Sequence, residues 1–115
     1  MKAIHLSRMY RGKAIRMDFD PDQTPMRLTL TGGDRPHVGA VGSIQPDGSI
    51  SVTESPGHKE GILCQRWCVA LESAGCKPLR MEAGIHYDAL PPEGIQDVLE
   101  ITDALLQETL YALAD

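Results

Sequence analysis

The stretch Thr31-Gly32-Gly33-Asp34-Arg35-Pro36-His37-Val38-Gly39-Ala40-Val41-Gly42 restricts the fold more than any other part of the chain. An alternating apolar strand, Met26-Arg27-Leu28-Thr29-Leu30, runs into it. Gly32-Gly33-Asp34 then reads as a tight turn that needs positive φ or close backbone approach. Pro36 removes a donor and pushes Arg35 toward extended geometry, so that Arg35 and His37 project from the end of a sheet. Gly39, Ala40 and Gly42 leave the next strand almost without bulk, and glycine weakens a strand unless something approaches the backbone closely. A ligand or a second chain fits such a strand, and a strained turn followed by a short bulged strand explains the spacing equally well.

The rest of the sheet is written in alternation and turn residues. Residues 2–9 and 13–19 read as strands, with Ile15, Met17 and Phe19 opposed to Arg16 and Asp18, and Tyr10-Arg11-Gly12-Lys13 turns between them. Asp20-Pro21-Asp22-Gln23-Thr24-Pro25 is a polar loop before the strand at 26–31. The chain is extended again from His37 to Ile44. Gln45-Pro46-Asp47-Gly48 then has the residue order of a type I turn followed by a left-handed residue, and residues 49–53 return as the partner strand.

Two helices are expected. Over 59–75, Leu63, Trp67, Ala70, Leu71 and Ala74 recur at helical spacing, with Gly75 as the C-terminal cap; Cys64 and Cys68 widen the apolar face beyond what one sheet covers. After a strand at 79–87, Pro91-Pro92-Glu93-Gly94 opens a long helix whose buried stripe is Ile95, Val98, Leu99, Leu105, Leu106, Leu110 and Leu113. Strands followed by helices indicate α+β: an antiparallel sheet of five to six strands with two helices on one face, in a single domain over residues 1–115. The other face is then polar or covered by a second subunit, and a homodimer is the commonest cover.

Composition narrows the function. A net charge of −5 argues against nucleic acid as the main partner, and one Phe, one Trp and three Tyr are too few for a base-stacking platform. Three cysteines, at 64, 68 and 76, do not suit a disulfide framework and read as reduced thiols. The N-terminal residues lack a signal-peptide pattern and no run approaches the roughly 20 apolar residues of a membrane span, so the expectation is a cytoplasmic protein with no membrane partner.

Histidines at 5, 37, 58 and 86 lack metal-ligand spacing. Asp34 near His37 offers an oriented imidazole for a small enzyme, but no nucleophile motif or phosphate loop accompanies it. Anion binding remains. His58 and Lys59 stand at the start of the first helix, where free N–H groups and the macrodipole attract a phosphate or carboxylate, and Arg80 follows in the next strand.

Residues 32–41, with Ser55-Pro56-Gly57-His58-Lys59-Glu60 and Pro92-Glu93-Gly94-Ile95, resemble the small D subunit of gallate- and vanillate-type hydroxyarylic acid decarboxylases, a prenylated-flavin chaperone domain. The likeness covers most of residues 26–113. The first segment is also similar to a motif of the proteasome assembly chaperones, which implies a shared fold. The resemblance implies a non-catalytic carrier that binds reduced prenylated FMN, or FMN itself, and delivers it to a UbiD-type decarboxylase. Arg35, His37, Gly39, His58, Lys59 and Arg80 are then the residues whose chemistry suits the phosphate and the ring. A protein-only assembly chaperone and a small enzyme using His37 with Asp34 stand as alternatives.

Overall fold

The computed structural model describes residues 1–35, 37–57 and 60–114. In chain order the elements are β1 (Ile4–Tyr10), β2 (Lys13–Asp20), β3 (Met26–Gly33), β4 (Ala40–Ile44), β5 (Ile50–Glu54), α1 (Gly61–Ser73), β6 (Leu79–His86) and α2 (Pro92–Leu113). The strands form one sheet in the order β1-β2-β3-β6-β4-β5.

Both hairpins follow from local chemistry. Arg11 and Gly12 take positive φ, 50° and 76°, between β1 and β2, the primed turn that matches strand twist. Gly48 takes φ 90° after Gln45-Pro46-Asp47, and its N–H donates to the Gln45 carbonyl at 2.8 Å.

The sheet corrects the antiparallel reading at one junction, because β6 pairs parallel with β3 and antiparallel with β4. The cause lies in the glycine-rich stretch. β3 runs on through Gly32 and Gly33 instead of turning there, and β4 starts only at Ala40. The connection therefore crosses two strand spacings, roughly 10 Å, and leaves an open slot between β3 and β4. These two strands run in opposite directions, so any strand that fills the slot is parallel to one of them.

Register gives the sheet two different faces. Ile15, Met17, Phe19, Leu28, Leu30, Ala40, Ile44, Leu79, Met81 and Ala83 are all at most 1% exposed and share one face. Both helices lie against that face, α1 over β4, β5 and β6 and α2 over β1. The opposite face carries Arg16, Asp18, Arg27, Thr29, Thr31, Ser43, Ser51, Thr53, Arg80 and Glu82. It is mostly polar, with Val41 and Met9 its larger apolar members.

α1 buries Leu63, Cys64, Trp67, Cys68 and Leu71, and it ends as its sequence indicates. Gly75, at φ 85°, donates to the Glu72 carbonyl at 2.9 Å and Cys76 donates to that of Leu71 at 3.0 Å, a Schellman pair. The wide apolar face that Cys64 and Cys68 create is covered by the sheet itself. A Cβ on Gly42 would lie 2.7 Å from both sulfurs, so the bare strand admits the helix.

The stripe of α2 departs from expectation at both ends of its argument. Thr102 and Thr109 are fully buried, because each hydroxyl donates to carbonyls of the preceding turn, Thr102 to Val98 and Leu99 and Thr109 to Leu105. Ile95, read as core, is 53% exposed. α2 is tied down by Arg8 to Glu108, by Tyr10 Oη to Asp97 at 2.9 Å, and by Arg66 of α1, whose Nη1 donates to both Asp103 carboxylate oxygens at 2.7 and 2.9 Å. Among the described residues no helix is long and apolar enough to cross a membrane.

Candidate functional site

Parallel pairing sends the carboxyl ends of β3 and β6 out of the sheet side by side. Gly33 sits opposite His86 at φ 90°, where a Cβ would overlap the His86 carbonyl, so this glycine meets both conditions set for it by sequence. Asp34 donates its N–H to the His86 carbonyl at 2.7 Å, and its carboxylate accepts the Asp88 N–H at 3.0 Å. The two exits are thereby locked together.

Polar side chains gather on this lock. Arg35 Nε lies 3.4 Å from Asp88 Oδ1, with the guanidinium side chain 75% exposed. His37 is held from both ring nitrogens, Nδ1 2.9 Å from the Arg35 carbonyl oxygen and Nε2 3.1 Å from Glu60 Oε1. His86 stands edge-on to His37 at 6.1 Å between centroids and reaches Asp88 Oδ1 from Nε2 at 3.0 Å. Cations and carboxylates alternate here, so the rim can both donate to and accept from a ligand.

Behind the rim opens a cleft of about 500 Å³ between the start of α1, the start of α2 and the end of β6. Its walls are Ile62 and Leu63 of α1, Ile85, Tyr87 and Leu90 at the exit of β6, and Ile95, Val98 and Leu99 of α2, with Gly57, Glu60 and His86 at the polar side. Tyr87 forms the firmest part of the wall. Its hydroxyl donates to the Lys13 carbonyl at 2.9 Å and its ring meets Tyr10 edge-on at 5.2 Å. Burial, and then the Asp34 carboxylate, push its phenol above the ordinary range, so it stays a neutral donor. A cleft of this size and apolar character falls in the range of small-molecule sites.

The residues singled out from sequence fall into three groups. Arg35 and His37 come together beside the cleft, the His37 ring reaching the Arg35 carbonyl and the cleft residue Glu60. Gly39 lies beneath them, but what approaches it is Glu60, whose carboxylate would overlap a Cβ there. Arg80 lies near the opposite end of β6 on the polar sheet face, beside Arg27 in register and next to a notch formed by Gln23, Thr24, Pro25 and Glu82. His58, Lys59 and Pro36 lie outside the described residues. The N-terminus of α1, which the sequence offers to a phosphate or carboxylate, receives a carboxylate of the chain itself, with Gly61 N–H donating to Glu54 Oε2 at 2.7 Å. The small-enzyme alternative changes its constitution: the carboxylate on the His37 ring is Glu60, and Asp34 serves the Asp88 backbone.

Sequence reasoning missed Glu60, His86 and the apolar walls. One signal was present, since Ile62 falls outside the helical stripe of Leu63, Trp67 and Leu71 and so is an apolar residue that the core does not explain.

The fold and the cleft define a small α+β protein with a site built for a molecule that is apolar over most of its surface and polar at one edge. A family model of the prenylated flavin chaperone LpdD-like domain matches residues 10–114, and the chain belongs to this family. The match confirms the resemblance and carries it back through β2 into the first turn. Membership supports a prenylated-flavin chaperone role, with flavin-related binding and a non-catalytic part. No curated protein matches the chain.

Proposed function

We propose that the chain holds reduced prenylated FMN in the cleft between α1, α2 and the end of β6 and delivers it to a UbiD-type aromatic acid decarboxylase. The observation that carries this reading is an apolar cleft of about 500 Å³ whose polar lining, Glu60 and His86, is tied outward to His37 through Glu60 and to Arg35 through Asp88. The residues fit the group: the ring system is flat and apolar apart from its pyrimidine edge, and the phosphate needs a cation. Arg35 is the phosphate ligand on this reading, because its planar fork binds two oxygens and its exposure leaves it free to exchange Asp88 for a ligand. His37 and His86 supply hydrogen bonds to the ring edge. His58 and Lys59 add positive charge from the segment before α1, while Gly39 acts through Glu60 and Arg80 remains a site for an anion on the other face.

A carrier must also let go. The cleft is open at its mouth and its cations are already matched by carboxylates, so the net attraction for a dianion is modest and transfer to a tighter apoenzyme is downhill. The three thiols are free and buried, which accords with a cytoplasmic protein. A homodimer on this reading uses the helix side, where Val69 of α1 and Tyr111 of α2 are exposed; sedimentation at micromolar concentration tests that point. Anaerobic titration of reduced prenylated FMN, followed by mixing with decarboxylase apoenzyme, tests the reading. Saturable binding followed by gain of decarboxylase activity is expected, and absence of binding would refute it.

A further inference from the structure

We infer that Ile62 and Ile95 are the selectivity residues of the cleft, gripping the prenyl-derived ring that distinguishes prenylated FMN from FMN. This inference rests on the proposed flavin site. The two isoleucines stand on different helices, each in the first turns, and each lines the cleft. Their exposures are 75% and 53%, while the floor residues Leu63 and Tyr87 are only 6% and 5% exposed. Exposed β-branched residues at the starts of two helices contribute nothing to the core. Placed on opposite walls of one cleft, they form an apolar mouth that is buried only when something fills it.

The chemistry of the two flavins decides what that something is. Both carry the same phosphate, ribityl chain and pyrimidine edge, so the polar rim of Arg35, His37, Glu60 and His86 cannot tell them apart. Prenylation adds a saturated ring bearing methyl groups that is closed through N5, so it adds apolar surface and replaces the N5 hydrogen of reduced flavin. Additional apolar surface in the protein responds to the first of these differences, and the mouth supplies it. Burying a few methylene equivalents against two isoleucines corresponds to a preference of about tenfold to a hundredfold. A chaperone surrounded by FMN needs such a preference to remain loaded with its own ligand.

The test measures the dissociation constants of reduced prenylated FMN and reduced FMN, anaerobically, for wild type, Ile62→Ser, Ile95→Ser, the double variant and Arg35→Ala. Thermal unfolding checks each variant, and exposed positions of this kind tolerate serine. The double variant should lose about tenfold or more in affinity for prenylated FMN and less than about threefold for FMN, collapsing the ratio of the two. Arg35→Ala should weaken both flavins by one common factor and leave the ratio intact. Equal losses on the two flavins in the double variant would overturn the selectivity role while leaving the flavin site standing. Failure of wild type to bind either flavin would overturn the site itself, and this inference with it.

Discussion

Gly39 and Gly42 stand three residues apart at the start of β4, and both are bare for the sake of what α1 brings down on them, yet the two contacts differ in kind. Over Gly42 lie the sulfurs of Cys64 and Cys68, fully buried and without access to solvent. Over Gly39 lies the Glu60 carboxylate, which reaches past it to His37 at the cleft rim. One glycine sets how closely helix and sheet pack; the other sets where a charged group stands. A run of small residues that looks like a single device in sequence is two, and only one of them bears on the site.

Substitutions that separate stability from binding test this division. The largest effect is expected at Gly42→Ala, whose Cβ would sit 2.7 Å from two buried sulfurs; overpacking of this kind costs about 3 kcal/mol, read as a lower denaturant midpoint. Adding Cys68→Ala should recover a large part of that loss. Flavin affinity of the folded fraction should not change, and a change there would join the two devices again. Next comes Arg35→Ala, which should weaken flavin binding by about 1.5–3 kcal/mol, the range for hydrogen bonds to charged groups, with the melting temperature unaltered. An Arg35→Ala protein that binds as wild type would remove Arg35 from the site.

Gly39→Ala should fall between the two classes. Its Cβ displaces the end of one side chain and not the backbone, so about 1 kcal/mol of stability is expected to go, together with a shift of the His37 ring resonances in NMR. The sulfur end has its own pH signature. Cys64 is raised by its bond to Cys68 and then by burial, Cys68 moves in the opposite direction, and burial alone raises Cys76. For Cys64 and Cys76 the folded chain keeps protons that the unfolded chain releases above about pH 8.5. The contribution of Cys76 and Cys64 is therefore full below that pH and falls as pH rises, that of Cys68 runs the opposite way, and native thiols should label slowly until the chain unfolds. Stability that climbs from pH 8 to 10 would contradict this assignment. The smallest effect belongs to Arg80→Ala, less than about 0.5 kcal/mol on stability and none on the cleft, because its side chain stands on the polar face. Loss of flavin affinity there would place a second anion contact far from the rim.

The parts of the fold legible in sequence were those with local causes. Asp47-Gly48 and Arg11-Gly12 specify their turns within four residues, and alternation in β2 and β3 fixes which side chains face the helices. Parallel pairing of β3 with β6 had no such signature, since the strands lie far apart in sequence and each alternates as it would in either direction. Helical periodicity marked Ile95 as apolar and facing inward but could not say that the wall opposite it stops short. At the site, Arg35 and His37 were visible because glycine and proline crowd around them. Glu60 and His86 were not, since an acid before a helix and a histidine at a strand end are ordinary until the fold brings them together.

The insertion of β6 between β3 and β4 also governs when the site comes into being. Asp34 and Asp88, which lock the two strand exits, are 54 residues apart, so the rim closes only after the chain has paid the loop entropy of its longest-range pairing. During synthesis β6 emerges after the first five strands and α1, so until then the slot between β3 and β4 has no occupant and the β6 and α2 walls of the cleft are absent. A nascent or truncated chain ending before His86 therefore offers a cofactor no foothold, and any flavin recruitment is confined to the finished protein.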